Sequence, residues 1–180
     1  MASLALLSDD GAILFAGQSE SNRNAAGTCL RILGRGLAEA GRTLSDIAFI
    51  VADIGPGSFI GVRVGVTIAK TMAFALGVPV AGVTSFDLID SAGTAVVPSK
   101  RGEYFVRPSG LPAVRTSILP EGEPFLGYGP EILQQRYPDA CLSPSLLSGL
   151  KKVRPEELLP DYLIEPSISF PKRPYIQANP

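Results

Sequence analysis

Gly55-Pro56-Gly57-Ser58-Phe59-Ile60-Gly61 joins two segments whose patterns differ, and this junction decides the fold. The residues before it, Ile47 to Ala52, form a continuous apolar run, which predicts a buried central strand. The residues after it predict a helix from about Phe59 to Leu76, closed by Gly77 at the C′ position. A further apolar run, Val78 to Val83, predicts the next strand. A strand, loop, helix and strand in this order predict a βαβ unit with parallel strands.

The glycine loop has a residue order that suits a tight turn at the start of a helix. The proline restricts Gly55 before it and fixes its own φ, while Gly57 is free to adopt positive φ. Ser58 can cap the helix through its hydroxyl. Because the first N–H groups of a helix form a seat for anions, we predict a possible anion-binding loop at Gly55, Pro56, Gly57, Ser58 and Arg63.

The loop departs from the known phosphate-binding patterns. A Walker loop closes with Gly-Lys-Ser/Thr, whereas this stretch runs Gly61-Val62-Arg63, and the glycine spacing also differs from the dinucleotide-binding pattern. Two interpretations therefore stay open, a structural turn or a loop close to phosphate. Arg63, one turn into the helix, is either an anion ligand or a solvated side chain.

The first half of the chain carries two further predicted elements. Apolar runs at Ser3 to Leu7 and Ala12 to Ala16 flank Asp9-Asp10-Gly11 and predict a β-hairpin. A helix is predicted from Asn24 to Ala40, closed by Gly41.

The second half is rich in proline and predicts shorter elements. Strands are expected at Glu103 to Val106 and Val114 to Ile118, helices at Pro130 to Tyr137 and from Ser143-Pro144, and an extended tail after Pro166. We predict two small lobes, an N-terminal α/β lobe at residues 1–96 with the glycine loop and both long helices, and a Pro-rich lobe with the tail at 97–180.

Both long helices carry more apolar surface than one sheet can cover. Gly61, Gly65, Ala69 and Ala73 recur at four-residue steps, and small residues in such a row allow another helix to approach closely. The excess surface is covered either by the second lobe or by a partner subunit. The predicted partner interface consists of Leu30, Leu33, Leu37, Gly61, Gly65, Ala69 and Ala73.

Composition excludes several classes of function. The chain has no histidine, which removes His-based triads and His metal sites, and we predict no metal site and no catalytic residue. A net charge of −1 with scattered Lys and Arg argues against direct binding of nucleic acid. We find neither a targeting signal nor a run near the roughly 20 apolar residues of a membrane span, so a cytoplasmic location is expected.

The motifs resemble those of the TsaB (YeaZ) family. The resemblance rests on the run from Gly55 to Val66, followed by Ala69-Lys70 and Ala73-Phe74-Ala75, where Ile60 replaces the family's usual threonine. It extends to Gly77-Val78-Pro79-Val80, Val83-Thr84-Ser85, Arg101-Gly102-Glu103-Tyr104 and the segment from Pro155 to Leu163.

The resemblance implies an actin-like, Hsp70-like (ASKHA) α/β fold and a subunit without catalysis of its own. Family members pair with the TsaD enzyme through helices equivalent to the two described above, and with the ATPase TsaE the pair makes threonylcarbamoyl-adenosine in tRNA. The expected partners are TsaD, then TsaE and tRNA through the complex, with a homodimer when the chain is alone. No cofactor is expected to bind tightly, although a weak nucleotide at the partner interface is possible.

Two features depart from the family pattern. Members open with a strand ending in Asp-Thr-Ser, whereas this sequence starts at the equivalent of the second strand, so we expect an N-terminally shortened lobe. The usual His-Ser-Glu near the first helix is replaced by Asn24-Ala25-Ala26.

Two enzymatic alternatives stay open. A sugar-kinase-like or acetate-kinase-like phosphotransferase of the same fold needs an acidic metal site and two phosphate loops, and Asp53 is the one carboxylate adjoining the glycine loop. A peptidase needs a nucleophile with a base, and the sequence shows no such constellation.

Overall fold

The fold was described from a computed structural model, which covers residues 2–19, 25–100, 102–133 and 135–163. The predictions at Asn24 and Arg101 and for the tail after Pro166 lie outside these residues.

The chain begins with a hairpin packed on a helix. β1 (Ser3–Leu7) and β2 (Ile13–Gln18) pair antiparallel as predicted, with Gly11 at φ +84° in the turn. α1 (Ala25–Glu39) lies across the hairpin and buries Phe15. A Cβ on Gly36 would lie 2.5 Å from Cδ1 of Phe15. The helix backbone therefore approaches the aromatic ring so closely that only glycine fits at this position.

The predicted βαβ unit is confirmed. β3 (Ile50–Asp53) and β4 (Val80–Val83) are parallel, and α2 (Phe59–Leu76) connects them. The hydroxyl of Ser58 caps α2 by accepting from the Gly61 N–H at 3.3 Å, and Gly77 ends the helix at φ +68°. Both ends of the helix therefore follow the sequence signals.

The prediction that the first strand of this unit is central in its sheet is wrong. The order of the three-stranded sheet is β3-β4-β9, where β9 (Lys152–Val153) is antiparallel to β4, so β3 lies at an edge of that sheet. An apolar run indicates that the faces of a strand are covered, and it does not report how many strands pair with its edges.

A four-stranded sheet forms the second layer of the fold. It has the order β7-β6-β5-β8, from β5 (Thr94–Pro98), β6 (Tyr104–Arg107), β7 (Val114–Thr116) and β8 (Phe125–Gly127). The short helix α3 (Ser85–Ile89) packs Phe86 and Ile89 onto Ala95, Val97 and Phe105 of this sheet.

The helix predicted over Pro130 to Tyr137 is wrong. The N–H of Ile132 bonds to the carbonyl of Gly129, which makes a turn, and Gln135 then bridges to Gly127 at the edge of the sheet. This segment thus forms a turn and a bridge to the edge of the sheet in place of the predicted helix. The helix predicted to start at Ser143 is confirmed as α4 (Pro144–Gly149), capped by the Ser143 hydroxyl.

The predicted division after residue 96 stays a prediction, but the sheets run across it. The boundary cuts β5, which begins at Thr94. β9 and the 3-10 helix Pro155–Glu157 return to the first sheet and to α2, so the described C-terminal residues pack on the N-terminal half of the chain.

Candidate functional site

A cleft of about 390 Å³ lies where the glycine loop meets the four-stranded sheet. The last described residues, 161–163, form its third wall. Its lining combines loop residues with aromatic side chains and one lysine: Pro56, Gly57, Ser58, Phe59, Val62, Pro98, Ser99, Lys100, Phe105, Tyr128, Asp161, Tyr162 and Leu163. Three of the five residues predicted for anion binding therefore face the cleft, and Gly55 and Arg63 do not line it.

The glycine loop is held by its neighbours on both sides. Gly55, rather than Gly57, has positive φ, at +102°. The N–H of Gly55 donates to Oδ1 of Asp53 at 2.8 Å, so this amide is not free to bind a ligand. A Cβ on Gly55 would lie 3.1 Å from the carbonyl oxygen of Asp161. Close approach of the C-terminal segment and positive φ both explain why glycine is needed at Gly55.

The carboxylate of Asp53 lies behind the loop and is largely buried. The hydroxyl of Ser85 donates to Asp53 and lies 2.7 Å from Oδ1 and 2.8 Å from Oδ2. Burial raises the pKa of Asp53, while the bonds from Ser85 and Gly55 oppose that rise. Burial and then the charge of Asp53 raise the pKa of Tyr128 to about 12. When Asp53 is ionised, its charge works against an anion near the loop.

Ser85 and Tyr128 are site residues that sequence reasoning did not single out. Ser85 belongs to the Val83-Thr84-Ser85 segment, which indicated only family resemblance, and it reaches Asp53 because β3 and β4 are parallel neighbours whose C-terminal ends meet. Tyr128 follows β8, more than forty residues away from the loop along the chain, and no local pattern connects the two.

Arg63 does not point to the loop. Its Nε donates to the hydroxyl of Tyr162 at 2.9 Å, and its guanidinium carbon lies 4.4 Å from the centroid of the Phe59 ring. The rings of Phe59 and Tyr162 are themselves 5.2 Å apart. Arg63 is therefore an exposed side chain, as one of the two interpretations expected, and it is held beside two aromatic rings instead of lining the cleft.

The predicted partner interface divides between the surface and the core. Leu30 is 53% exposed, Gly61 is also exposed, and Gly65 is half-buried. The other four predicted residues are at most 8% exposed, since each packs inside this chain: Leu33, Leu37, Ala69 and Ala73. The interface prediction is corrected at these four positions, because buried side chains cannot touch a partner.

The outward face of α2 carries large apolar residues that the prediction omitted. Ile60 is 74% exposed and Phe74 is 79% exposed. A Cβ on Gly65 would meet nothing within 4 Å. The exposed side of α2 thus carries one large apolar residue near each end beside polar side chains, whereas Gly65 is half-buried and lies about 140° around the helix from Ile60 and about 180° from Phe74.

α2 is also long and apolar enough to cross a membrane by length and composition alone, which corrects the expectation that no segment comes close. Its buried face packs on β3 and β4 as the crossover of a βαβ unit, which is the arrangement of a helix in a globular fold.

Within the part of the chain that the structure describes, no group of three or more His, Cys, Asp or Glu side chains could hold a metal ion. Cys29 and Cys141 are free thiols, and burial raises the pKa of each.

Comparisons with known proteins agree with this arrangement. Residues 19–99 match the family model described as TsaD, tRNA N6-adenosine threonylcarbamoyltransferase. The chain is 33% identical over 86 residues to the tRNA threonylcarbamoyladenosine biosynthesis protein TsaB of Bacillus subtilis, which covers 44% of this chain and 36% of that protein. It is 40% identical over 60 residues to a tRNA N6-adenosine threonylcarbamoyltransferase of Geotalea uraniireducens, covering 33% of this chain and 18% of that one. The matched region thus spans about a third or less of these curated relatives.

Solved structures show the same fold over most of the chain. YeaZ from Pseudomonas aeruginosa superposes with a TM-score of 0.69 at 23% identity, covering 89% of this chain and 93% of that one. A crystal structure of a Pseudomonas aeruginosa protein with similarity to peptidase YEAZ gives a TM-score of 0.71, also at 23% identity, over 90% and 94%. The chain is thus similar to TsaB in sequence over less than half of its length, and it shares the fold of YeaZ over most of it.

Proposed function

We propose that this chain is a non-catalytic partner subunit that pairs with a TsaD enzyme in the biosynthesis of threonylcarbamoyl-adenosine in tRNA. One observation carries the proposal, the two large apolar side chains on the outward face of α2, where Ile60 and Phe74 are each about three quarters exposed. Large apolar side chains aligned on one helix are typical of an interface. Leu30, on the neighbouring helix α1, is a further exposed apolar side chain.

The chemistry of the chain supports a role without catalysis. The TsaD enzyme carries histidines that bind its metal, and this sequence has no histidine. The carboxylate nearest to the loop, Asp53, accepts hydrogen bonds from Ser85 and Gly55 and lies behind the loop instead of in the cleft lining. These bonds suit a structural role for Asp53.

The wider assembly follows from the same proposal. TsaE and tRNA would join through the TsaD pair, and the isolated chain would form a homodimer through the outward face of α2. The expected location is the cytoplasm. A nucleotide would bind at most weakly, in the cleft beside the partner.

Co-purification with the TsaD protein of the same organism tests the pairing. The parent chain and a Gly65→Leu variant are compared, because a leucine at this half-buried position, where a Cβ meets nothing within 4 Å, would hold a helix that packs on this flank of α2 away. We expect Gly65→Leu to lose co-purification while its melting temperature stays close to that of the parent.

A matched control is Leu133→Ser, which changes a fully exposed leucine away from α2 and should leave pairing unchanged. Equal recovery of TsaD with the parent and with Gly65→Leu would remove α2 from the interface. Turnover of ATP by the isolated chain, abolished in Asp53→Asn, would instead favour the kinase-like phosphotransferase.

A further inference from the structure

An open groove of about 290 Å³ lies on the four-stranded sheet. Residues of β5, β6 and β7 and of the segment that follows β7 line it: Thr94, Val106, Pro108, Val114, Thr116, Ile118, Pro120, Glu121 and Glu123. It shares no lining residue with the cleft beside the glycine loop, so the two are separate features of the surface.

The register of the sheet explains why this part of its surface is uncovered. Val96, Val106 and Val114 lie opposite one another across β5, β6 and β7, so their side chains share one face. Val96 and Val106 are buried in one cluster with Ile132. Val114, on the edge strand, is 51% exposed. The cover of this face therefore ends before β7, and the groove begins there.

Apolar and acidic side chains lie side by side in the groove. Ile118 lines it and is nevertheless 68% exposed, so its side chain is largely open to solvent. Glu121 and Glu123 line the same groove, and neither forms an ion pair with another residue that the structure describes. The groove therefore suits a segment that combines an apolar side chain with positive charge.

The two arginines of β6 and β7 do not supply that charge. Arg107 pairs with Asp87 of α3, and Arg115 pairs with Glu103. Arg115 also lies opposite Phe105 in the register, which places it on the face of the sheet that packs on α3. The arginines of these two strands are thus paired with other carboxylates.

The sequence after the last described residue contains a segment with the required chemistry. Phe170-Pro171-Lys172-Arg173-Pro174 places an aromatic residue two positions before two adjacent cations. Each proline fixes its own φ, which reduces the conformational entropy that a segment loses when it binds. The charge of this segment is opposite to that of the groove.

The chain is also long enough to bring this segment to the groove. Leu163 lines the cleft near Pro98 at the end of β5, whereas the groove includes Thr94 at the start of the same strand. These two ends are roughly 13 Å apart along the strand, and β7 lies roughly 10 Å across from β5. Lys172 follows Leu163 by nine positions, which span up to about 30 Å in an extended chain.

We propose that residues 170–173 of this chain dock in the groove. Phe170 fills the apolar part beside Val114 and Ile118, and the two cations that follow it pair with the two glutamates. The groove contains no residue of α2, so the proposal does not depend on pairing with TsaD.

A tryptophan at position 170 tests the apolar contact, because the full chain has no tryptophan of its own. The fluorescence of Phe170→Trp should lie at a shorter wavelength in the folded protein than in urea. Adding Ile118→Asp should shift it toward the value in urea. Adding Leu111→Asp should leave it unchanged, since Leu111 is similarly exposed but lies outside the groove. Emission that matches the unfolded protein, or that ignores Ile118→Asp, would overturn the proposal.

A charge swap tests the ionic contact in the full chain. Lys172→Glu with Arg173→Glu should speed hydrogen exchange of the amides of residues 114–118 roughly fivefold, because repulsion replaces two exposed ion pairs. Glu121→Lys with Glu123→Lys should have the same effect. Combining all four substitutions should restore the exchange rates of the parent, and failure to restore them would contradict the pairing.

Two controls separate this docking from other causes. Arg42→Glu with Lys151→Glu makes the same change of net charge at exposed positions outside the groove and should not alter these exchange rates. Exchange in the parent should also be independent of protein concentration. Protection that increases with concentration would place the segment of a second copy in the groove and overturn docking within one chain.

Discussion

Both faces of α2 carry apolar residues in opposite environments, although the outward face also carries the polar side chains of the helix. Its inward face packs Val66, Ala69 and Ala73 against the first sheet, and Ala73 is completely buried. Its outward face leaves Ile60 and Phe74 in solvent. Hydrophobicity alone therefore does not distinguish the core from a candidate interface on this helix, and only the position of the sheet does.

The row of small residues shows how this ambiguity misled the sequence interpretation. Each residue turns an α-helix by about 100°, so a step of four residues advances the row by about 40°. Over the three steps from Gly61 to Ala73 the row moves by about 120°. It thus starts at the exposed side and ends in the core, so that one row contributes to both faces.

The largest expected effect tests the inward face. Ala73→Leu inserts a larger side chain into a filled core and should lower the free energy of unfolding by about 1–3 kcal/mol. Ala75→Leu, at an exposed position of the same helix, should stay within about 0.5 kcal/mol of the parent. Urea denaturation measures both, and a larger loss in Ala75→Leu would reverse the assignment of the two faces.

A substitution on the outward face should weaken self-association and leave the free energy of unfolding nearly unchanged. Phe74→Ser should weaken self-association of the chain by about 2 kcal/mol, as expected for a central aromatic residue at an interface. Its free energy of unfolding, extrapolated to the monomer, should change little because Phe74 is exposed. Sedimentation over a range of concentrations measures this, and a parent chain that stays monomeric throughout would contradict the prediction.

Lys70 lies on α2 between the two faces and binds the C-terminal segment to the helix. Lys70→Met keeps the length of the side chain and removes its bonds to the carbonyls of Glu156 and Leu158, which should cost about 1–2 kcal/mol. The amides of residues 155–158 should then exchange faster with solvent. Lys151→Met, at an exposed position, is the control, and an equal loss in both variants would deny Lys70 this special role.

The unfilled position at Gly65, on the flank of α2, predicts a small gain of stability. Gly65→Ala should raise the free energy of unfolding of the isolated chain by about 0.5–1 kcal/mol, because alanine favours a helix and its Cβ meets nothing within 4 Å. Thermal unfolding of the two proteins at matched concentration measures the change. A loss of stability would place Gly65 against another part of the chain.

The smallest effect concerns the start of α2, where Asp53 lies behind the loop. Its folded pKa is raised above 3.8, so the stability it contributes is present below that pH and is lost as pH rises through the folded pKa. Two hydrogen bonds to Asp53 offset the burial, which limits the size of this loss. Asp53→Asn should therefore show a shallower decline of stability above pH 3.8 than the parent, and the exposed Asp9→Asn should not.

Capping and turn residues close to each element made much of the fold predictable from the sequence. Ser58 and Gly77 mark the ends of α2, and the turn at Gly11 sets the hairpin, so each of these elements could be located from nearby residues. The edge position of β3 and the bridge at Gln135 depend on pairing between distant segments, and no local pattern reports such pairing.

The candidate site was predictable only in part for the same reason. Pro56, Gly57 and Ser58 face the cleft as the loop pattern suggested. The ring of Tyr162, which engages Arg63, comes from the other end of the chain. The sequence shows that Arg63 has a long side chain near the loop. It does not identify Tyr162 as the partner, because the two residues are 99 positions apart.

The late return of β9 has a consequence for the order of folding. Val80 of β4 pairs with Val153, about seventy residues later, so the closure of a long loop precedes this contact. During synthesis the four-stranded sheet is complete in the nascent chain before β9 emerges. Until then β4 exposes one unpaired edge, and pairing at such an edge is a route to aggregation. The emergence of β9 from the ribosome thus determines when the first sheet becomes protected.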